Sequence, residues 1–251
     1  MSLADSAGTP WEGRHFEPNR SAEDDGSAAP ALLAVFESFA NGDADEASVI
    51  DEIRRSRFLI PLLAHLGESE ISPDGHLIDK TQELSIVTVT APDGRRVLPI
   101  FSSVSTMGEW NPIARPVPAD AQRIAIAAAT EQTDLVIVDP TSSTEFVVRR
   151  PALWAIAQEL DWVPSYRDPA VAREFAASID SETAVTQISL EPGDPTARLR
   201  GPELIVRLSL RPGLDRLQLD ALLARVQERW SRSEIIAERV DSLTVALATS
   251  T

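Results

Sequence analysis

Cysteine is absent from the 251 residues, which excludes disulfide scaffolds, thiolate zinc sites, iron–sulfur clusters and cysteine nucleophiles together. Lysine is almost absent too. Of the 23 basic residues only Lys80 is a lysine, and this preference for Arg, with abundant Ala, reads as GC-rich coding bias that says little about mechanism. Positive charge is scarce overall. The formal net charge is −16 and the isoelectric point about 4.6, so phosphate backbones and anionic lipid surfaces are repelled on average. That argues against nucleic-acid and membrane partners. Long apolar runs are missing as well: residues 58–64, like every other apolar run, fall far short of the roughly 20 residues of a membrane-spanning helix. The first thirty residues carry Asp and Glu where a secretory signal needs a basic start and an apolar middle, which makes the cytoplasm the default compartment.

The rest is ordinary for a globular chain, with 43% hydrophobic and 25% charged residues, and long enough for one large core or two modest ones. Residues 1–30, rich in Gly, Ser, Pro and charge, read as a mostly disordered acidic tail in which Trp11 and Phe16 are the groups able to pin it to the folded body. A helix starts at Pro30, where the missing N–H costs nothing, and Asn41-Gly42 stops it. Asp45 caps a second helix with Val49, Ile50 and Ile53 inward, and Asp24 and Asp25 place negative charge ahead of the first. Residues 58–64 suit a buried strand in which Pro61 marks an edge or a bulge. Residues 84–90 and 95–101 form a hairpin about Asp93-Gly94.

Further along, Met107 and Trp110 belong to a short helix, residues 118–130 read as a helix with Ile124 buried, and residues 134–139 and 145–149 as antiparallel strands. Pro151 opens a helix with Leu153, Ile156, Ala157 and Leu160 on one face and Trp154 beside it. The prolines of residues 162–169 mark a linker. Beyond it come a helix from Asp168-Pro169, strands at 184–190 and 204–210, an amphipathic helix over 214–229 that includes Leu217, and a last strand with Leu243, Val245 and Leu247. The expected fold is α+β: a mixed sheet flanked by helices over residues 31–163, with a smaller βαβ-like module over 168–251.

In order and spacing these motifs resemble the SseB family, the enhanced serine sensitivity proteins, in their actinobacterial form. The likeness rests on Phe16-Glu-Pro-Asn19, Asp24-Asp25-Gly26, Leu59-Ile-Pro61-Leu-Leu63 and Asp79-Lys80. It continues through Val97-Leu-Pro-Ile-Phe101, Trp110 with Pro112, Leu135-Val-Ile-Val-Asp139-Pro140 and Phe146-Val-Val-Arg149-Arg-Pro151. The resemblance implies a fold with a smaller second module. It implies no mechanism, because the family has no established activity, cofactor or catalytic residue.

Catalytic patterns are thin. His65, Glu68, Asp74 and His76 fit no metal-ligand spacing. Ser102, Ser103 and Ser105 lack a Gly-x-Ser-x-Gly elbow and read as caps of the following helix, and the eleven glycines never occur as Gly-x-Gly. No catalytic residue, metal or cofactor is assigned. Arg149 and Arg150, where a strand meets a helix, suit an anion or, more simply, ion pairs with some of the 39 acidic side chains. Trp110 and Trp154 suit core positions or interface anchors. The expected function is that of a non-enzymatic interaction or regulatory protein with an unidentified protein partner and scope for a homodimer. The alternative is a small-molecule sensor or enzyme with its site between the two modules.

Overall fold

In the computed structural model, which describes residues 24–65, 83–91 and 93–249, the first helix begins at a proline. Helix α1 (Pro30–Asn41) has Pro30 in its first turn and closes at Gly42, whose φ of 80° lets its N–H reach the Phe39 and Ser38 carbonyls. Helix α2 (Glu46–Arg55) is capped by Asp45, which accepts from the Ser48 N–H at 2.9 Å. The pair buries Leu32, Phe36, Val49, Ile50 and Ile53. Asp24 and Asp25 do not cap α1. Asp24 pairs with Arg57 at 2.5 Å, and Asp25 accepts from the backbone and hydroxyl of Ser27. Trp11, Phe16, Glu68, Asp74, His76 and Lys80 lie outside the described residues.

Next come β1 (Arg57–His65), β2 (Glu83–Ile86), β3 (Val89–Thr90), β4 (Arg96–Ile100), α3 (Val104–Trp110) and β5 (Arg115–Asp120). The run read as one strand over 84–90 is split, β2 pairing with β1 and β3 with β4. The β3–β4 hairpin closes through Ala91 N–H to Arg95 and Gly94 N–H to Ala91, with Gly94 at φ 87°. Pro61 is in the central strand of the antiparallel β2-β1-β5 sheet, not at an edge. Its carbonyl accepts from Val87, so its nitrogen faces the same way, just past the last β2 pair, where no donor is needed.

Residues 118–120, expected to open a helix, instead end β5. Pro116 and Pro118 hold the residues before them in extended conformation, and the helix starts only after Asp120, whose carboxylate accepts from the Arg123 N–H. Helix α4 (Ala121–Thr130), β6 (Leu135–Val138), β7 (Phe146–Val148) and α5 (Arg150–Ala157) complete this half. Strands β3-β4-β6-β7 make a mixed sheet, β4 and β6 parallel and the rest antiparallel, joined to β1 by a Leu59–Phe101 bridge. Helices α1, α2, α4 and α5 cover one face around Phe58, Leu98, Val138 and Phe146. Leu160 lies beyond the end of α5 and is exposed, because the helix stops before reaching it.

After one 3₁₀ turn (Ser165–Arg167) follow α6 (Pro169–Ala177), β8 (Val185–Pro192), β9 (Leu204–Leu210), α7 (Arg216–Arg232), α8 (Glu234–Arg239) and β10 (Leu243–Thr249). Strand β10 runs parallel to β9, and β8 antiparallel, giving the order β10-β9-β8. A separate core forms here from Phe175, Leu204, Val206, Leu208, Val226 and Trp230. The crossover contains the additional helix α8, capped by Ser233. Leu217 is 81% exposed, because α7 turns Leu222, Val226 and Trp230 to the sheet and leaves its first turn in solvent. The protein is an α+β fold. No helix among the described residues is long and apolar enough to cross a membrane.

Candidate functional site

Arg149 stands between the end of β7 at Val148 and the start of α5, and its side chain leaves the first core pointing at the second half of the chain. There it is buried between two buried aspartates: Nη2 to Asp194 Oδ2 at 2.8 Å and Nη1 to Asp241 Oδ2 at 2.9 Å. Nη2 also donates to the Gly201 carbonyl at 3.1 Å. Asp194 further accepts from the Leu199 N–H, which folds the 193–202 loop back over the mixed sheet, where Leu199 packs on Val97, Leu135 and Val147. Asp241 takes a second cation, both its oxygens lying 3.0 Å from Arg95 Nη1 in the β3–β4 hairpin. One carboxylate thus holds arginines from two elements of the N-terminal half. Fully paired, such a cluster fixes how the halves sit together; with one member removed it leaves a buried charge uncompensated.

Carboxylates outnumber cations at this junction. Glu203 is buried and accepts from the Asp241 N–H at 2.6 Å, and burial pushes its carboxyl above the usual range. Glu46, in the first turn of α2, is pushed up to about 7, first by burial, then by the neighbouring Glu203 and Asp194 charges. Arg149 and the Tyr166 hydroxyl act in the opposite direction and do not win. Burial and the Glu46 charge raise the Tyr166 phenol to about 12. These two side chains share an open cleft of about 470 Å³ between the halves, with Phe39, Pro192 and Pro195 as apolar walls and the Asp45–Arg167 pair, at 2.7 Å, on its rim.

Arg150 is held differently from its neighbour. Its Nη2 donates to the Ala237 and Val240 carbonyls at 2.9 and 3.1 Å, placing a cation at the C-terminal end of α8, and its guanidinium lies 5.2 Å from the Trp154 ring centre. Trp154 is 46% exposed. Two shallow hollows meet at Arg150: one of about 370 Å³ with Ala125, Ala129, Leu153 and Trp154, the other of about 530 Å³ with Trp230, Ile236, Val240 and Leu243. Trp110 is elsewhere and partly buried, its ring 5.1 Å from Phe101 over Leu59 and Met107. The structure therefore brings Arg149, Arg150 and Trp154 to one junction and leaves Trp110 out of it.

The serines divide. Ser103 caps α3 in a reciprocal box with Thr106, whereas Ser102 does not cap it. The Ser102 N–H and hydroxyl donate to the buried Asp139 at 2.7 and 2.6 Å, and the Thr144 hydroxyl donates to the same carboxylate at 2.8 Å. Asp139 sits at φ 47°, a conformation Asp tolerates better than most residues, and it locks the loop after β6 onto the end of β4. Among the described residues no three side chains are grouped to hold a metal ion.

A family model described as the SseB protein N-terminal domain matches residues 31–155. The chain belongs to the SseB family. The matched stretch runs from α1 to α5 and contains Arg149, Arg150 and Trp154, whereas Asp194, Glu203 and Asp241, which complete the junction, lie C-terminal to it. No curated protein matches the chain. Sequence reasoning missed Glu46, Tyr166, Asp194, Glu203 and Asp241. For Asp194 the available signal was the Gly193-Asp194-Pro195 turn; the other four carry none, since their partners are distant in the chain.

Proposed function

We propose that this SseB-family protein is a cytoplasmic, non-enzymatic interaction protein that engages a protein partner through the face around Trp154. The single observation behind this reading is a half-exposed tryptophan, stacked by Arg150 and lining one shallow hollow, with a second, mainly apolar hollow meeting it at Arg150. Trp and Arg lead the residues whose truncation costs most at protein interfaces, and a ring already held by a neighbouring cation loses little freedom on binding. Trp154→Ala is expected to leave stability within about 0.5 kcal/mol, as surface changes do, and to abolish recovery of the partner in affinity capture from the native cytoplasm. Recovery of the same proteins in the same amounts by the variant would refute the reading.

A second reading, a small-molecule sensor, draws on the cleft that Glu46 and Tyr166 share between the halves. Aromatic and proline walls with a few polar groups of shifted pKa are the usual make-up of a ligand site. A metabolite that co-purifies with wild-type protein and is lost in Tyr166→Ala, with no protein partner recovered, selects this reading over the first.

A further inference from the structure

A strand at a sheet edge presents unpaired N–H and C=O groups, and proteins normally guard such edges with proline, charge, bulges or a covering loop. Three edges here are guarded. On β5, Pro116 is paired with Pro61, whose carbonyl is turned toward Val87 and away from β5. Both members of such an antiparallel pair face away from each other, so Pro116 and, two residues on, Pro118 stand at the outward positions and offer no N–H. On β7, the Val147 N–H is taken by the Ala197 carbonyl at 2.7 Å. Strand β8 has a register break between Val185 and Gln187 and ends on Glu191 and Pro192.

Strand β10 has none of these devices. Its seven residues, Leu-Thr-Val-Ala-Leu-Ala-Thr, contain no charge, proline or glycine, and pair with β9 in unbroken register from Leu243–Leu204 to Thr249–Leu210. The Leu204 N–H donates to the Ser242 carbonyl, so in a parallel ladder residues 242, 244, 246 and 248 face β9. Leu243, Val245, Leu247 and Thr249 then direct their backbone groups outward, and among the described residues those groups have no partner. Leu247 is 44% exposed on this strand.

We propose that β10 is a homodimerisation edge: it pairs antiparallel with β10 of a second copy about a two-fold axis, joining two three-stranded sheets into one of six. The occupant follows from charge and symmetry. Two molecules each carrying −16 repel, and contact between them is cheapest along an uncharged stretch. Antiparallel pairing of an uncharged strand with itself sets no like charges opposite one another, and the two-fold uses up both edges, so assembly stops at two.

Sedimentation equilibrium over a wide concentration range tests this. Wild-type protein is expected to approach twice the 27.3 kDa chain mass. Leu247→Pro removes an outward N–H without breaking a hydrogen bond between β9 and β10, and is expected to give a folded monomer by circular dichroism. Leu247→Lys leaves the backbone intact, sets like charges near each other across the axis, and is expected to raise the dimer Kd at least about tenfold. A wild-type chain that stays monomeric throughout, or a dimer unchanged by both substitutions, overturns the proposal.

Discussion

Replacing Glu46 by Gln isolates the electrostatic strain at the junction. The carboxyl is raised from 4.5 to about 7, so the folded protein keeps this proton over a range of pH where the unfolded chain has released it. Folding therefore takes up a proton in that window. The corresponding stability is fully present below about pH 4.5 and is lost as pH rises through about 7. At about 1.4 kcal/mol per pKa unit the ceiling is roughly 3 kcal/mol. The amide of Glu46→Gln cannot ionise, so the variant is expected to gain on wild type across this window, flat above and below it, and to be the more stable protein at about pH 8. Glu203, whose carboxyl burial also raises, faces the same site, and Asp194, Asp241, Arg149, Tyr166 and the Asp45–Arg167 pair lie around it. Its slope persists in Glu46→Gln and disappears only in the double variant with Glu203→Gln. Urea denaturation followed by tryptophan fluorescence at a series of pH values between about 4 and 8 gives the comparison. If the wild-type and Glu46→Gln midpoints differ by the same amount at every pH, the carboxyl does not titrate in this window and the reasoning fails.

Two further outcomes follow from the buried polar groups. Arg149→Ala leaves Asp194 without a cation in the interior and takes from Asp241 one of its two arginines, and is expected to cost about 3–5 kcal/mol in denaturation experiments. Arg149→Lys, one point charge that cannot fork between two carboxylates, should fall between Ala and wild type, and a cost below about 1 kcal/mol for Ala would contradict the hub. Asp139→Ala strips the acceptor from Ser102 and Thr144 and is expected to cost about 2–3 kcal/mol by thermal unfolding. Asp139→Asn keeps one acceptor for the Ser102 N–H and tolerates the positive φ, so it should cost clearly less; equal losses would show that the carboxylate geometry is not what holds this loop.

Local chemistry was legible in the sequence wherever one residue acts on its immediate neighbours. Pro30 and Gly42 bound α1, Asp45 caps α2, Asp168 caps α6, and Gly94 closes the hairpin. The alternation Leu204, Val206, Leu208, Leu210 marked β9, all four being buried. Three elements were illegible because a neighbour far along the chain decided them. Pro61 looks like an edge residue until β2 ends just short of it, residues 118–120 look like a helix entry until β1 pairs with them, and Leu217 looks like core until α7 turns its first turn away.

The same division holds at the junction. The sequence alone established an α+β chain without cysteine chemistry or phosphate loops, and placed Arg149 and Arg150 where a strand runs into a helix, because propensity, capping and periodicity act over a few residues. Only the tertiary structure assigned Arg149 to Asp194 and Asp241, 45 and 92 residues away, and set Glu46 beside Tyr166 and Glu203. With 39 acidic side chains to choose from, composition cannot name the partners of a buried cation. Distance and desolvation select them, and both exist only once the two cores have docked.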